Sequence, residues 1–208
     1  MKSVSISILK WGVLINLYFF FASSTCKAQI QKQTAKYNIS AFGMDVGELN
    51  VEQQINGHDT IVKAITDIDF RFIFAYKGNY LQEGYYHNGD LRKSHLRTIR
   101  KGKVNSDTHI IKNKDCYMLI KDGDTSCIHN KIRYSGSLVY FNEPKNISTI
   151  VYEMDGETKN IEAVGNHTYH ILSQNKYKKK DYEYVYENGI LKRAIIRYPL
   201  AIIYLERE

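Results

Sequence analysis

The chain has 208 residues, 43% of them hydrophobic and 12% aromatic, with a formal net charge of +7. That length suffices for one domain with a full core. The positive charge is spread along the chain rather than gathered into the basic stripe of a nucleic-acid binder, and the three cysteines, Cys26, Cys116 and Cys127, do not spell a zinc ligand set.

Lys2 and Lys10 precede an apolar run from Trp11 to Ala22, and Cys26-Lys27-Ala28 then stand before Gln29. A basic start, an apolar middle of roughly 7–15 residues and small residues before a cut describe a secretory signal peptide. The run is shorter than the about 20 residues that a spanning helix needs. Two readings stay open. Cleavage after Ala28 makes residues 1–28 the signal peptide and leaves 29–208 as a single β-rich domain. Alternatively Cys26 is the lipidated residue of an outer-membrane lipoprotein, although Thr25 departs from the small residue usual at that position. Both readings put the domain in the periplasm or outside the cell, where no nucleotide cofactor is expected. Loss of Lys2, Lys10 and Lys27 lowers the charge to 7 − 3 = +4.

From Lys36 onward, short alternating segments sit between turn signals, the pattern of an all-β protein. The first hairpin is expected to run from Lys36 to Phe42 and from Val46 to Ile55, joined at Gly43-Met44-Asp45. Next, Val62, Ala64, Thr66, Ile68, Phe70, Phe72, Phe74 and Tyr76 recur at period two, with Lys63, Asp67, Asp69 and Arg71 on the opposite face. One strand of that length has to bend, near Asp69, and curled strands of this kind build a barrel or half-barrel. Phe70, Phe72, Phe74 and Tyr76 are therefore the candidate lining of a cavity for an apolar ligand; packing of the same aromatics as ordinary core is the competing reading.

Further turns are marked by Asn88-Gly89, Lys101-Gly102, Asp122-Gly123, Asp155-Gly156 and Asn188-Gly189. Around Asp122-Gly123, Cys116 and Cys127 stand close enough for a disulfide in an oxidising compartment. A four-residue loop from Ile120 to Gly123 sets them opposite one another, and other registers offset them. Ser135 to Phe141 is the one stretch with the look of a short helix. Lys176, Lys178, Lys179 and Lys180 form the densest basic cluster, expected in a solvated hairpin loop. Tyr182, Tyr184 and Tyr186 make a second aromatic stripe, suited to a core, a cavity wall or an exposed face that stacks on glycan.

Catalytic and metal constellations are weak, and no metal site is assigned. His167 and His170, three apart on a strand, point to opposite faces. Asp67 and Asp69 share a face with Lys63 and Arg71, as in an ion-pair ladder. Ser135-Gly136-Ser137 is not a G-x-S-x-G nucleophile elbow, and His109 meets His129 only if their strands pair.

Tyr37-Asn38-Ile39-Ser40-Ala41-Phe42-Gly43-Met44-Asp45-Val46-Gly47, Tyr140-Phe141-Asn142-Glu143-Pro144 and Tyr184-Val185-Tyr186-Glu187-Asn188-Gly189 together resemble the signatures of a family of secreted Bacteroidota envelope proteins of unknown function. The resemblance implies strand starts and turns and carries no catalytic residue. Asp59-Thr60-Ile61 is similar to the O-glycosylation site of those bacteria, which makes Thr60 a candidate acceptor. More distantly, a curled sheet of this size resembles the half-barrel of the carriers that move lipoproteins to the outer membrane, whose interior holds acyl chains.

The expected protein is thus a mostly all-β, single curled antiparallel sheet or half-barrel, lipocalin-like or lipoprotein-carrier-like, with at most one or two short helices. The expected function is non-enzymatic binding of an apolar or amphiphilic molecule or lipid in the cell envelope. The alternatives are an interaction module that meets an envelope protein or glycan through a Tyr-rich face, and an undetected hydrolase.

Overall fold

The structure, a computed structural model, describes residues 30–70, 76–172, 181–199 and 201–208. The side chains of Phe70 and Tyr76, all of Phe72 and Phe74, Cys26 with the rest of the leader, and the Lys176–Lys180 cluster lie outside the described residues.

Eight strands come first: β1 (Gln31–Ala41), β2 (Met44–Asn56), β3 (Asp59–Phe70), β4 (Tyr76–His87), β5 (Asp90–Arg100), β6 (Lys103–Lys112), β7 (Tyr117–Lys121) and β8 (Asp124–Ile128). A connector with one 3-10 turn (Gly136–Tyr140) leads to β9 (Thr149–Val151), β10 (Thr158–Gly165), β11 (Thr168–Leu172), β12 (Asp181–Glu187), β13 (Ile190–Arg197) and β14 (Ile202–Arg207). All fourteen join one antiparallel sheet, in the order β8-β7-β6-β5-β4-β3-β2-β1-β14-β13-β12-β11-β10-β9. The fold is the curled all-β sheet that the sequence pattern indicates, and the short helical stretch falls where Ser135 to Phe141 suggested it.

Two meanders, β1–β8 and β9–β14, are zipped together by β1 on β14, in register from Tyr37 opposite Arg207 to Ala41 opposite Ile203. The Tyr37 hydroxyl reaches further, donating to the Leu191 carbonyl at 3.0 Å and tying β1 to β13. The terminal strands of the sheet are β8 and β9, and the connector that joins them in sequence bonds β5 and β9. Leu91 N–H on β5 donates to Ile132 O, and Val151 N–H on β9 donates to Tyr134 O. Asp90 anchors the start of the connector through Lys131 at 2.8 Å, and that ammonium holds the Asp90 carboxyl below its ordinary pKa.

The hairpins follow from their turn residues. Asn88-Gly89 and Asn188-Gly189 place both central residues at positive φ, between 53° and 78°, the twist that suits a two-residue hairpin. The first hairpin also turns on two residues, Phe42-Gly43, with Ala41 opposite Met44, so Met44 and Asp45 belong to the strand rather than to the loop. The long periodic segment is two strands instead of one bent strand. The chain reverses after β3, and Phe70 lies opposite Tyr76. The period-two pattern ran straight through this reversal because both arms of an antiparallel hairpin keep their alternation.

Along each strand one set of side chains faces the concave core and the other faces out. Val62 and Ala64 are fully buried, while Lys63 between them reaches Glu83 on β4 at 3.0 Å. Such pairs run across the convex face: Lys32–Glu52, Lys36–Glu48 and Arg197–Glu183. Of the residues read as an ion-pair ladder, Lys63 pairs across strands with Glu83, and Arg71 lies outside the described residues. Cys116 and Cys127 are joined by a disulfide with Cα atoms 5.9 Å apart. The β7–β8 turn is only Asp122-Gly123, so Met118 is the residue opposite Cys127 and the bridge runs diagonally. Thr60 stands half-buried on β3, opposite Ile55 and Tyr86.

The curl depends on close strand contact at Gly47, next to the register shift between Ile39 and Ser40. A Cβ built on Gly47 would stand 2.1 Å from the Asp67 carbonyl oxygen and 2.9 Å from the Ile68 Cα. All three nearest atoms are β3 backbone, which leaves no easy relief. Gly47→Ala is expected to lower unfolding free energy by about 1–3 kcal/mol, the usual cost of overpacking, measured by urea denaturation; an unchanged midpoint would show that β2 and β3 separate freely there.

Candidate functional site

The concave face encloses a cavity of about 470 Å³. Its floor is aliphatic, with Ile39, Leu49, Ile68, Ala194, Ile203 and Leu205 contributed by β1–β3, β13 and β14. Its roof comes from the connector, through Gly136, Val139 and Tyr140 of the 3-10 turn, and from Tyr152 to Asp155 between β9 and β10. Tyr182 and Tyr184 supply one aromatic wall and Tyr80 another. The exposed lining residues Phe42 and Tyr198 mark where the cavity meets solvent.

Period two explains the walls. On β12, Tyr182, Tyr184 and Tyr186 all turn inward and are buried, with Glu183 between them bound to Arg197 on the outside. Tyr184 shares a hydroxyl–hydroxyl bond of 3.0 Å with Tyr152, and Tyr186 packs edge-on against Tyr169. Burial raises the phenol pKa of Tyr182, Tyr184 and Tyr186 well above the ordinary value, so these rings stay neutral.

Two ionisable groups interrupt the apolar lining. Lys159, 3% exposed, holds its ammonium 4.5 Å from the Tyr152 ring centre and 4.8 Å from that of Tyr182, with Glu157 at 3.5 Å. Cation–π contact of this kind makes a desolvated cation tolerable. Glu153, 2% exposed, sits in a buried polar knot. Its Oε1 accepts from the Ser135 hydroxyl and, at 3.0 Å, from the Ser137 N–H. The Tyr86 hydroxyl on β4 bonds both serine hydroxyls, Ser137 at 2.7 Å. Oε2 has no partner in the protein. Burial pushes the Glu153 carboxyl above the ordinary range, and the serine hydrogen bonds offset only part of that.

Sequence reading missed Glu153 and Lys159, because Tyr152-Glu153-Met154-Asp155-Gly156-Glu157 has the composition of a surface turn. Ser135-Gly136-Ser137, set aside as a nucleophile elbow, is instead the strap that holds the carboxylic acid. Phe70 and Tyr76 lie at the ends of strands whose neighbouring residues Ile68 and Gly78 line the cavity, but their side chains are outside the described residues.

The histidines go elsewhere. His167 lies in the β10–β11 turn rather than on a strand and binds Glu143 at 2.8 Å, whereas His170 approaches Glu183 at 3.6 Å. His109 meets His95 rather than His129, since β5 and β6 pair and β7 separates β6 from β8. On the convex face His95, Asp107 and His109 bring ligand-type atoms within 4.8 Å of one another. The two imidazoles stack at 4.2 Å and 5°, so their in-plane lone pairs run alongside rather than converge. Asp107 is already forked by Arg97, at 2.7 and 3.1 Å. This is the geometry of an ion-pair network.

Fold and site together define a β-barrel-like protein: an open antiparallel sheet curled over an apolar cavity. The chain belongs to the family described as Domain of unknown function (DUF6134), whose model matches residues 37–208. Among solved structures it is similar to the beta-barrel-like protein of Domain of Unknown Function DUF1849 from Brucella abortus, with a TM-score of 0.53 and 8% identity over 88% of this chain and 98% of that one. That likeness is one of fold. No curated protein matches the sequence.

The Glu153 shift has a sign that can be measured. Its folded-state pKa lies above the unfolded value, so its stabilising contribution is complete below the unfolded carboxyl pKa and is lost as pH rises through the folded one. Glu153→Gln stays neutral throughout. The variant is expected to gain Tm relative to the parent as pH rises from about 5 to about 9; parallel Tm curves would show that Glu153 titrates normally.

Proposed function

We propose that the protein is a non-enzymatic binder that takes an apolar or amphiphilic molecule into the concave cavity, and that it works in the periplasm or outside the cell. The cavity itself carries the reading. Its volume falls in the range of about 300–1,000 Å³ typical of small-molecule sites, and mostly apolar walls with a few placed polar groups are the usual composition of such sites. A well-packed interior leaves few voids larger than a water molecule, so a space of this size on a folded sheet calls for an occupant.

Several features support the setting. The leader pattern of residues 1–28 and the disulfide between Cys116 and Cys127 both suit an oxidising compartment. The resemblance to Bacteroidota envelope proteins, and the more distant one to half-barrel lipoprotein carriers, point the same way. The inward turn of Tyr182, Tyr184 and Tyr186 favours enclosure of a ligand over a Tyr-rich docking face.

A neutral fluorophore, N-phenyl-1-naphthylamine, tests the cavity directly. Ala194, buried on its floor, is replaced by Phe, with Ala41→Phe as a second filling variant. The parent is expected to bind the dye with a rise in emission, and each filling variant to bind at least about tenfold more weakly, the equivalent of about 1.4 kcal/mol, while keeping its thermal transition. Equal binding by folded variants would place the dye elsewhere and remove the cavity as the site.

A further inference from the structure

The cavity roof leans on the last hairpin of the first meander, and that hairpin carries the disulfide. Tyr117 and Leu119 of β7 share a buried cluster with Val151 of β9, and Ile128 of β8 and Leu138 of the 3-10 turn pack against it. The β9–β10 turn rests on the same hairpin. A Cβ on Gly156 would stand 2.8 Å from both Leu119 Cδ2 and Ile128 Cδ1, so the bare glycine backbone seats on these two side chains. Just before it, the Met154 carbonyl accepts from the Thr108 hydroxyl of β6 at 3.5 Å. Met154 and Asp155 of this turn line the cavity.

Little else holds the hairpin in place. β8 has five residues and pairs with β7 alone, and a two-stranded ribbon is marginal without further support. The Cys116–Cys127 bridge supplies that support. Cys127 directly precedes Ile128, and side chains alternate across a strand. Cys127 is accordingly exposed, while Ile128 turns in toward Gly156. The bridge thus fixes the residue on which the roof turn rests. Its exposed end is open to attack, and exposed disulfides are more readily reduced than enclosed structural ones.

We propose that Cys116–Cys127 is a redox latch: intact, it holds the β7–β8 hairpin against the cavity roof, and its reduction loosens the turn at Gly156 and releases the ligand. This rests on the cavity-binding reading above. The reductant is a dithiol. One of its thiols, as the thiolate, attacks Cys127 Sγ, forms a mixed disulfide and displaces Cys116 as a thiolate, which takes up a proton. The second thiol gives up its proton, attacks the mixed disulfide and displaces Cys127, which is protonated in turn. The bridge gains two electrons and two protons, and the dithiol leaves as a disulfide.

The test loads the full domain with N-phenyl-1-naphthylamine and follows dye dissociation before and after treatment with dithiothreitol, with free thiols counted in each sample. Reduction is expected to speed dissociation at least about tenfold, well within what a bridge over a loop of this length contributes, while the domain keeps a cooperative thermal transition. Ile128→Ala removes the contact with Gly156 and leaves the sulfurs alone. This variant is expected to release the dye fast with its bridge intact and to gain little more on reduction, since both changes act through one contact. Amide hydrogen exchange gives a second readout: reduction is expected to raise exchange in residues 117–128 and 152–156 and to leave the pairing of β1 with β14 unchanged. A bridge that survives dithiothreitol in the folded protein, a dissociation rate indifferent to reduction, or global unfolding on reduction overturns the latch and leaves the cavity reading standing. Failure of the dye to bind at all overturns both.

Discussion

The structure depends on one buried knot, where Tyr86, Ser135, Ser137 and Glu153 share hydrogen bonds. Tyr86 belongs to the first meander, Glu153 follows β9 at the start of the second, and the two serines flank Gly136 at the start of the turn that roofs the cavity. A sheet of fourteen strands ends at β8 and β9 without a ladder between them. The knot ties β4 to the segment after β9 by side chains. Its members are fully enclosed, so each lost bond would strand a polar group away from water.

The connector held by this knot packs Tyr134, Val139 and Phe141 into the core, while Gly136, Val139 and Tyr140 form part of the cavity roof. Tyrosines suit the space between, since a large ring covers apolar area while its hydroxyl finds another at the rim, as Tyr152 does with Tyr184. Outside, the convex face is laced by exposed ion pairs, each worth little for stability, so the energetic weight lies within.

Much of the fold was legible. Asn-Gly and Asp-Gly pairs gave the turns, and period two separated inward from outward residues, Val62 and Ala64 from Lys63 among them. What escaped has specific causes. The β3–β4 reversal kept the alternation of Phe70 and Tyr76 intact, so pattern alone read one strand. The pairing of β1 with β14 joins residues that are about as far apart as the chain allows, and no local signal encodes it. The cavity floor was partly visible as inward-facing Ile68, but its polar side was not. Glu153 and Lys159 are buried by tertiary placement of a segment whose composition reads as surface, and Ser135-Gly136-Ser137 was weighed for catalysis and not for capping a buried acid.

The pairing of β1 with β14 also sets a schedule. β1 has β2 beside it soon after both are made, but its other edge stays without a partner until β14 has been synthesised. An unpaired strand edge is a template for association with other chains, and a closure that spans nearly the whole domain carries a loop entropy that slows its formation. The sheet therefore cannot be completed one hairpin at a time as the chain emerges. Its last step brings the two ends of the domain together, and until then the apolar concave side, with its unfinished roof, is open to whatever else it meets.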